Sequence, residues 1–150
     1  MAKYLLDANI LAILEAQDHP FHTAVFTRFS RLQDHDEVYL SILTLYEYEY
    51  SIAEAKTELA VSLRAIQQTL LDTFTFLPLT ESGAVRYGQI KSAYKKQTGI
   101  HKNAIKRHNL DFMLASTPLA AGVILVSGDR IFEQIRVAEP DFQWEDWTCS

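Results

Sequence analysis

Short apolar runs alternate with longer helical patterns along this chain, and this alternation restricts the possible folds more than any other feature. Strand-like runs occupy residues 3–6, 37–41, 75–79 and 123–127, and the FQWEDW stretch near the end fits a further edge strand. Apolar residues at helical spacing lie between them, over 9–17, 20–33, 42–55, 57–74, 80–99 and 109–121. Strands that alternate with helices predict a mostly parallel sheet with helices on both faces. We therefore expect an α/β fold.

Length and composition are those of an ordinary globular protein. The chain has 150 residues, contains no internal repeat or linker-like segment, and is expected to form one domain over residues 1–150. Cys149 is its only cysteine, which excludes an intramolecular disulfide. Asp7 and Asn9 interrupt the apolar N-terminus, and no apolar run approaches the roughly 20 residues that cross a bilayer. We expect a cytoplasmic protein with no membrane contact.

Four acidic residues fall where a parallel sheet presents side chains to a ligand. Asp7 directly follows the first strand, and Asp129 follows the strand that reads VILVS. Glu47 lies on the helix after the second strand, and Asp111 begins the helix that precedes VILVS. Ligands of open parallel sheets bind outside the carboxyl ends of the strands. We therefore expect these four carboxylates to share one end of the sheet.

Each of these acids also has an ordinary structural explanation. Asp7 fits the N-cap of the first helix, and Asp129 fits a turn. Asp111 would complement the dipole of its helix. Glu47 fits a solvated helix face, and Glu49 competes with it as the functional acid, a choice that spacing leaves open. Four such coincidences at one end of a sheet favour a shared role.

The chemistry of clustered carboxylates points to a divalent cation. Neighbouring carboxylates repel one another unless they are protonated or neutralised by cations. Their hard oxygen atoms suit Mg²⁺ or Mn²⁺. Such ions activate water and stabilise charge on a phosphoryl group. The residues therefore predict metal-dependent hydrolysis of phosphodiesters.

Several segments together resemble a known family. LLDANIL, SILTLYEYEYSI, AVRYGQIKSAYKKQTGI, NLDFMLASTPLAAGVILVSGD and WEDW, in this order, are similar to PIN-domain ribonucleases of the VapC toxin type over nearly the whole chain. The resemblance implies a three-layer α/β/α fold and an endoribonuclease that uses Mg²⁺ or Mn²⁺. It also implies a cognate protein antitoxin that plugs the active site, and a homodimer is common among similar proteins.

The resemblance assigns roles by position. The family's catalytic and metal-binding acids fall on Asp7, Glu47, Asp111 and Asp129, which selects Glu47 over Glu49. Asn9 matches a polar residue two places after the first acid, and Ser127 stands where a Thr or Ser hydroxyl is usual. Ala8, Ser51 and Gly128 depart from residues common in the family, but none of these departures removes a carboxylate.

A basic segment precedes Asp111, although the net charge of −5 argues against a nucleic-acid partner. Its members, six of the 14 Lys and Arg residues in the chain, are Lys91, Lys95, Lys96, Lys102, Lys106 and Arg107. A basic rim beside an acidic metal site suits an RNA backbone, and we expect these residues to bind RNA. The resemblance favours Lys91 among them, because its position is similar to one that is often basic in the family. The alternative is a solvated helix face followed by a polar loop at 101–108.

Other interpretations stay open at this point. Tyr46, Tyr48 and Tyr50 favour a mixture of core packing and interface, although they also fit base stacking. A nuclease that acts on DNA or on flap structures would carry further DNA-binding elements. A haloacid-dehalogenase-like phosphatase would have an Asp where this chain has Asn9. The main rival from another class is a catalytically silent PIN-like module that binds RNA or protein.

Overall fold

The structure, a computed structural model, describes residues 1–149 and contains seven α-helices and five strands there. The strands are β1 (Lys3–Leu6), β2 (Glu37–Ser41), β3 (Thr75–Leu77), β4 (Ile124–Val126) and β5 (Trp144–Glu145). The helices are α1 (Ala8–Glu15), α2 (His22–Ser30), α3 (Ile42–Glu54), α4 (Thr57–Thr73), α5 (Glu81–Thr98), α6 (Asn109–Ala121) and α7 (Ile131–Ala138). A short 3₁₀ helix, Ile105–His108, precedes α6.

The five strands form one parallel sheet in the order β3-β2-β1-β4-β5. From β1 the chain builds outward through β2 and β3, and it then crosses to β4 on the other side of β1. The strand order therefore reverses between β1 and β4. Such a switch point opens a crevice at the carboxyl ends of the two strands, which is where α/β proteins bind ligands.

Consecutive residues of β1 bury opposite faces of the sheet. Leu5 belongs to a buried cluster with residues of α5, α6 and α7, and Leu6 belongs to a second cluster with residues of α1, α2 and α4. Side chains alternate between the two faces of a strand, so two adjacent leucines require a helical layer on each side. This arrangement confirms the predicted three-layer α/β/α class.

The segment 101–108 differs from the expected polar loop. Ile105 is 3% exposed and packs into the core cluster under α5 and α6, and the 3₁₀ helix forms around it. One apolar side chain therefore fixes a stretch whose composition is otherwise polar. Within residues 1–149, none of the helices has the length and apolar character needed to cross a membrane.

Candidate active site

A cavity of about 240 Å³ lies at the switch point. Its lining includes all four predicted acids, here called the cavity acids: Asp7, Glu47, Asp111 and Asp129. The other lining residues are Ala8, Asn9, Leu43, Thr44, Arg107, Leu110 and Leu114. The fold thus brings together carboxylates that are as far as 122 positions apart, between residues 7 and 129 of the sequence.

Asp7 is held by β4 rather than by the helix that it precedes. It occupies the N-cap position of α1, but its side chain makes no capping hydrogen bond. Its backbone N–H donates to the Val126 carbonyl at 3.0 Å, and the Ser127 hydroxyl donates to Asp7 Oδ2 at 2.7 Å. Burial raises the pKa of Asp7, the Ser127 hydrogen bond opposes this, and the charge of Asp129 adds to the increase.

Asp111 enters the cavity from the first turn of α6. His108 Nδ1 lies 3.4 Å from Asp111 Oδ2, three residues earlier in the chain. Burial raises the pKa of Asp111, and the charge of Asp129 raises it further, while His108 acts in the opposite direction. A carboxylate at the N-terminus of a helix is favoured by the helix dipole, so α6 tolerates this charge without a basic side chain against it.

The structure separates Glu47 from Glu49, which spacing alone left open. The two side chains lie roughly 200° apart around the axis of α3, since each residue advances the helix by about 100°. Glu47 lines the cavity, and burial followed by the charge of Asp7 raises its pKa. Glu49 instead forms an ion pair with Arg64 and accepts a hydrogen bond from Gln67 at 3.1 Å, both on α4.

Asp129 combines a structural contact with its place in the cavity. Its Oδ1 accepts a hydrogen bond from the Ile131 backbone N–H at 3.2 Å, as the turn interpretation predicts. Its own backbone N–H donates to the Ser127 hydroxyl at 3.1 Å. Ser127 is fully buried. Its hydroxyl group links the first and last cavity acids, because it donates to the Asp7 side chain and accepts from the Asp129 backbone N–H.

The donor set suits a hard divalent cation. Within residues 1–149, Asp7, Glu47 and Asp129 form no ion pair with a Lys or Arg, and the only ion-pair partner of Asp111 is His108. Carboxylate oxygens that raise one another's pKa gain stability from an added cation, and Mg²⁺ and Mn²⁺ prefer such ligands. In the described part of the chain, no three Asp, Glu, His or Cys side chains already form a metal-holding group, so the carboxylates would have to close around an ion.

The predicted RNA-binding residues separate into three environments. Arg107 lines the cavity, and its Nε donates to His108 Nε2 at 3.1 Å. Lys91 is half-buried and donates to Asn109 Oδ1 at 2.8 Å. The remaining four are exposed side chains outside the cavity lining: Lys95, Lys96, Lys102 and Lys106.

Two polar residues at the site were not singled out from the sequence. Thr44 is buried and lines the cavity, and His108 contacts Asp111. Each lies three positions before a cavity acid, Glu47 or Asp111, and this is the spacing that places two residues on one face of a helix. That spacing was the sequence feature that could have indicated Thr44 and His108 as residues of the site.

Comparison with known proteins identifies the family. The sequence model of the PIN domain matches residues 4–138, whereas no curated protein sequence matches significantly. A chain of VapBC-1 from nontypeable Haemophilus influenzae has a TM-score of 0.75 and 24% identity, over 97% of this chain and 98% of that one. FitAcB from Neisseria gonorrhoeae gives 0.75 and 23%, over 98% and 99%, and DNA-bound VapBC from Salmonella typhimurium gives 0.68 and 23%, also over 98% and 99%.

These identities establish similarity of fold alone. The family match is different in kind, because it rests on the sequence itself and covers residues 4–138 of a 150-residue chain. It includes all four cavity acids, together with the two helices and two turns that carry them and the basic segment before α6. The chain therefore belongs to the PIN domain family.

Proposed function

We propose that the protein is a metal-dependent endoribonuclease that serves as the toxin of a toxin–antitoxin pair. The observation that carries this proposal is the grouping of four carboxylates in one cavity at the switch point, none of them in an ion pair with a Lys or Arg of residues 1–149. Residues with perturbed pKa values in a cleft are typical of functional sites. Three of the cavity acids, Asp7, Glu47 and Asp111, have raised pKa values.

The cavity acids would hold Mg²⁺ or Mn²⁺. When bound, such an ion lowers the pKa of a coordinated water and neutralises charge on a phosphoryl group. Ser127 fixes the orientation of Asp7 through its 2.7 Å hydrogen bond. Asn9 and Thr44 line the cavity and offer hydrogen bonds to a substrate.

RNA is the proposed substrate, and its backbone would approach from the basic side of the cavity. Arg107 lines the wall, and the exposed Lys95, Lys96, Lys102 and Lys106 extend the positive charge away from it. Contacts of this kind bind phosphates without regard to sequence and weaken as salt concentration rises. The predicted behaviour is an RNA affinity that falls steeply between low and physiological salt.

A cognate antitoxin and a second copy of the chain are the proposed protein partners. The structural neighbours include VapBC and FitAB assemblies, which supports a protein partner, and we place that partner over the cavity. Tyr46, Tyr50 and Leu110 are exposed beside Glu47 and provide apolar surface for association. Analytical ultracentrifugation tests for the dimer, and co-expression with the product of a neighbouring short reading frame tests for an inhibitor that binds.

The direct test is cleavage of total cellular RNA by the purified protein with Mg²⁺, with Mn²⁺ and with chelator, beside an Asp7→Asn variant. Discrete metal-dependent fragments that disappear in the variant support the proposal. A DNA oligonucleotide of the same sequence as a cleaved RNA serves as the substrate control. Intact RNA under every condition, from folded protein free of copurified inhibitor, would favour a catalytically silent PIN-like binding module.

A further inference from the structure

Lys91 makes contacts unlike those of the other basic residues near the site. Its Nζ donates to Asn109 Oδ1 at 2.8 Å and to the Tyr87 hydroxyl at 3.3 Å. The same ammonium group lies 5.5 Å from the centroid of the Tyr87 ring. The side chain is half-buried between α5 and α6. Two of its three N–H donors are therefore committed to the protein.

Asn109 lies between two residues of the cavity lining in the sequence. It is the first residue of α6, and Arg107 and Asp111 lie two positions before and after it. A bond that fixes Asn109 therefore restrains the segment that carries both side chains. A second contact supports the same junction, since the Tyr87 ring packs edge-on against the buried Phe112 ring at 6.5 Å.

The stability of α6 alone does not account for a lysine at this position. A cation at the N-terminus of a helix opposes the helix dipole, whereas a carboxylate there is favoured. Lys91 forms no ion pair with any carboxylate in residues 1–149 that would compensate for this. Its well-defined contact is a charge-assisted hydrogen bond to a neutral amide, which is shorter and stronger than a neutral pair.

We propose that Lys91 is a positioning residue, which acts through Asn109 to hold Asp111 and Arg107 at the cavity, and that it does not bind the RNA backbone. This proposal rests on the nuclease function proposed above. It divides the basic segment by role: exposed lysines would attract RNA, whereas Lys91 would set the geometry of the site. Supporting residues of this kind typically affect metal affinity or activity by roughly 10–100-fold.

The test compares five variants with the wild-type protein. Lys91→Met removes the charge and the donors but keeps the apolar stem, and Lys91→Arg restores both charge and donors. Asn109→Ala removes the acceptor, and it is also combined with Lys91→Met. Lys95→Met is the matched control, because it removes the same charge from an exposed side chain one turn further along α5.

Three quantities are measured: kcat and KM for one cleaved RNA, the salt dependence of RNA affinity, and Mn²⁺ affinity by calorimetry. Lys91→Met should lower kcat and Mn²⁺ affinity by roughly 10–100-fold, with the salt dependence of the wild type. Lys91→Arg should recover most of the loss. The double variant should be no worse than either single one, because both remove the same bond. Lys95→Met should keep the Mn²⁺ affinity and reduce the salt slope by about 1.

Other outcomes overturn the proposal. A Lys91→Met protein with raised KM and the reduced salt slope of Lys95→Met would place Lys91 on the RNA, and additive losses in the double variant would disconnect it from Asn109. If Lys91→Met does not fold, Asn109→Ala tests the same bond from its other end. If the wild type cleaves no RNA, the proposed function fails, but Mn²⁺ affinity still decides. A loss in Lys91→Met and Asn109→Ala but not in Lys95→Met supports positioning, and equal affinities in all of these proteins refute it.

Discussion

Two groups of carboxylates in this chain have opposite electrostatic surroundings. At the outer strand β5, Glu145 and Asp146, here called the edge acids, each have an arginine partner. Arg28 donates to Glu145 at 3.0 Å, and Arg130 forms an ion pair with Asp146. The Asp146 side chain is 8% exposed and also accepts a hydrogen bond from the Thr148 backbone N–H at 2.9 Å.

The cavity acids lack such partners, and the pKa values of Asp7 and Asp146 move in opposite directions. Burial opposes ionisation of Asp146, but hydrogen bonds from Thr148 and Cys149 and the charge of Arg130 outweigh it, so the pKa of Asp146 is lowered. Burial of Asp7 outweighs its hydrogen bonds from the Ser127 hydroxyl and from the Asn9 and Ala8 backbone, so the pKa of Asp7 is raised. Both side chains are largely enclosed, and the difference is that Asp146 has an arginine partner whereas Asp7 has none.

This contrast separates acids that serve the fold from acids that serve a ligand. The fold places an arginine beside each edge acid, so these acids stabilise the folded state without an added cation. It places no Lys or Arg in an ion pair with the cavity acids of residues 1–149, and burial opposes ionisation of Asp7, Glu47 and Asp111. The proposed function assigns an external cation to these carboxylates.

The largest expected effect concerns cleavage by the two matched isosteres. Asp7→Asn should reduce RNA cleavage by more than about 100-fold, since loss of a direct ligand should exceed the roughly 10–100-fold typical of supporting residues. Asp146→Asn should leave the cleavage rate within a few-fold of wild type. Rates are measured on one RNA substrate under saturating Mg²⁺. Comparable losses in both variants would erase the distinction between the two groups.

The same two substitutions should change stability in opposite directions at pH 7 without metal. Asp146→Asn removes a charged hydrogen-bond acceptor and should cost about 1–3 kcal/mol, or roughly 2–4 °C of Tm for each kcal/mol in a chain of this size. Asp7→Asn relieves the repulsion with Asp129 and keeps an acceptor for Ser127, so its Tm should rise. Thermal melting with chelator present measures both shifts, and a fall in Tm for Asp7→Asn would contradict the scheme.

These stability differences should depend on pH in a defined way. The raised pKa of Asp7 means that the contribution of this group to stability is fully present below the ordinary Asp pKa and is lost as pH rises through the folded-state value. The lowered pKa of Asp146 means that its stability is present above the ordinary value and is lost as pH falls. Melting curves from pH 3 to 8 should therefore show both differences at neutral pH and their disappearance in acid.

The smallest expected effect on Tm concerns Glu47 and Glu49. Glu49→Gln should lower Tm slightly, because it weakens an exposed contact with Arg64, and exposed ion pairs contribute little. Glu47→Gln should leave Tm unchanged or slightly raised but should reduce cleavage strongly. Melting and cleavage measured on the same two proteins check this pair. A cleavage defect in Glu49→Gln alone would reassign the functional acid.

The local pattern of apolar residues was sufficient to predict where the strands lie and which end of the sheet carries the acids. The first two strands run from Lys3 to Leu6 and from Glu37 to Ser41, as their apolar runs predict. The third strand ends at Leu77, short of the predicted residue 79, because Pro78 has no N–H to donate to a neighbouring strand. The acids could be placed because topology alone sends the ends of parallel strands to one edge.

Contacts between distant segments could not be predicted from spacing. Spacing did not separate Glu49 from Glu47, which only the family resemblance selected, and it gave no sign of the contacts of Glu49 with Arg64 and Gln67 on the next helix. The hydrogen bond from Lys91 to Asn109, 18 positions later, could not be predicted from the sequence, where the family resemblance indicated a contact with RNA. In each case the deciding partner is supplied by tertiary packing.

Titration of Mn²⁺ into the metal-free wild type, Asp7→Asn and Asp146→Asn proteins, followed by calorimetry at pH 7, tests most directly whether the cavity acids await a cation. Wild type and Asp146→Asn should bind Mn²⁺ with the same affinity. Asp7→Asn should bind at least about ten-fold more weakly, because a coordinating carboxylate is lost. Equal affinity in all three folded proteins, or no binding by the wild type, would contradict this assignment.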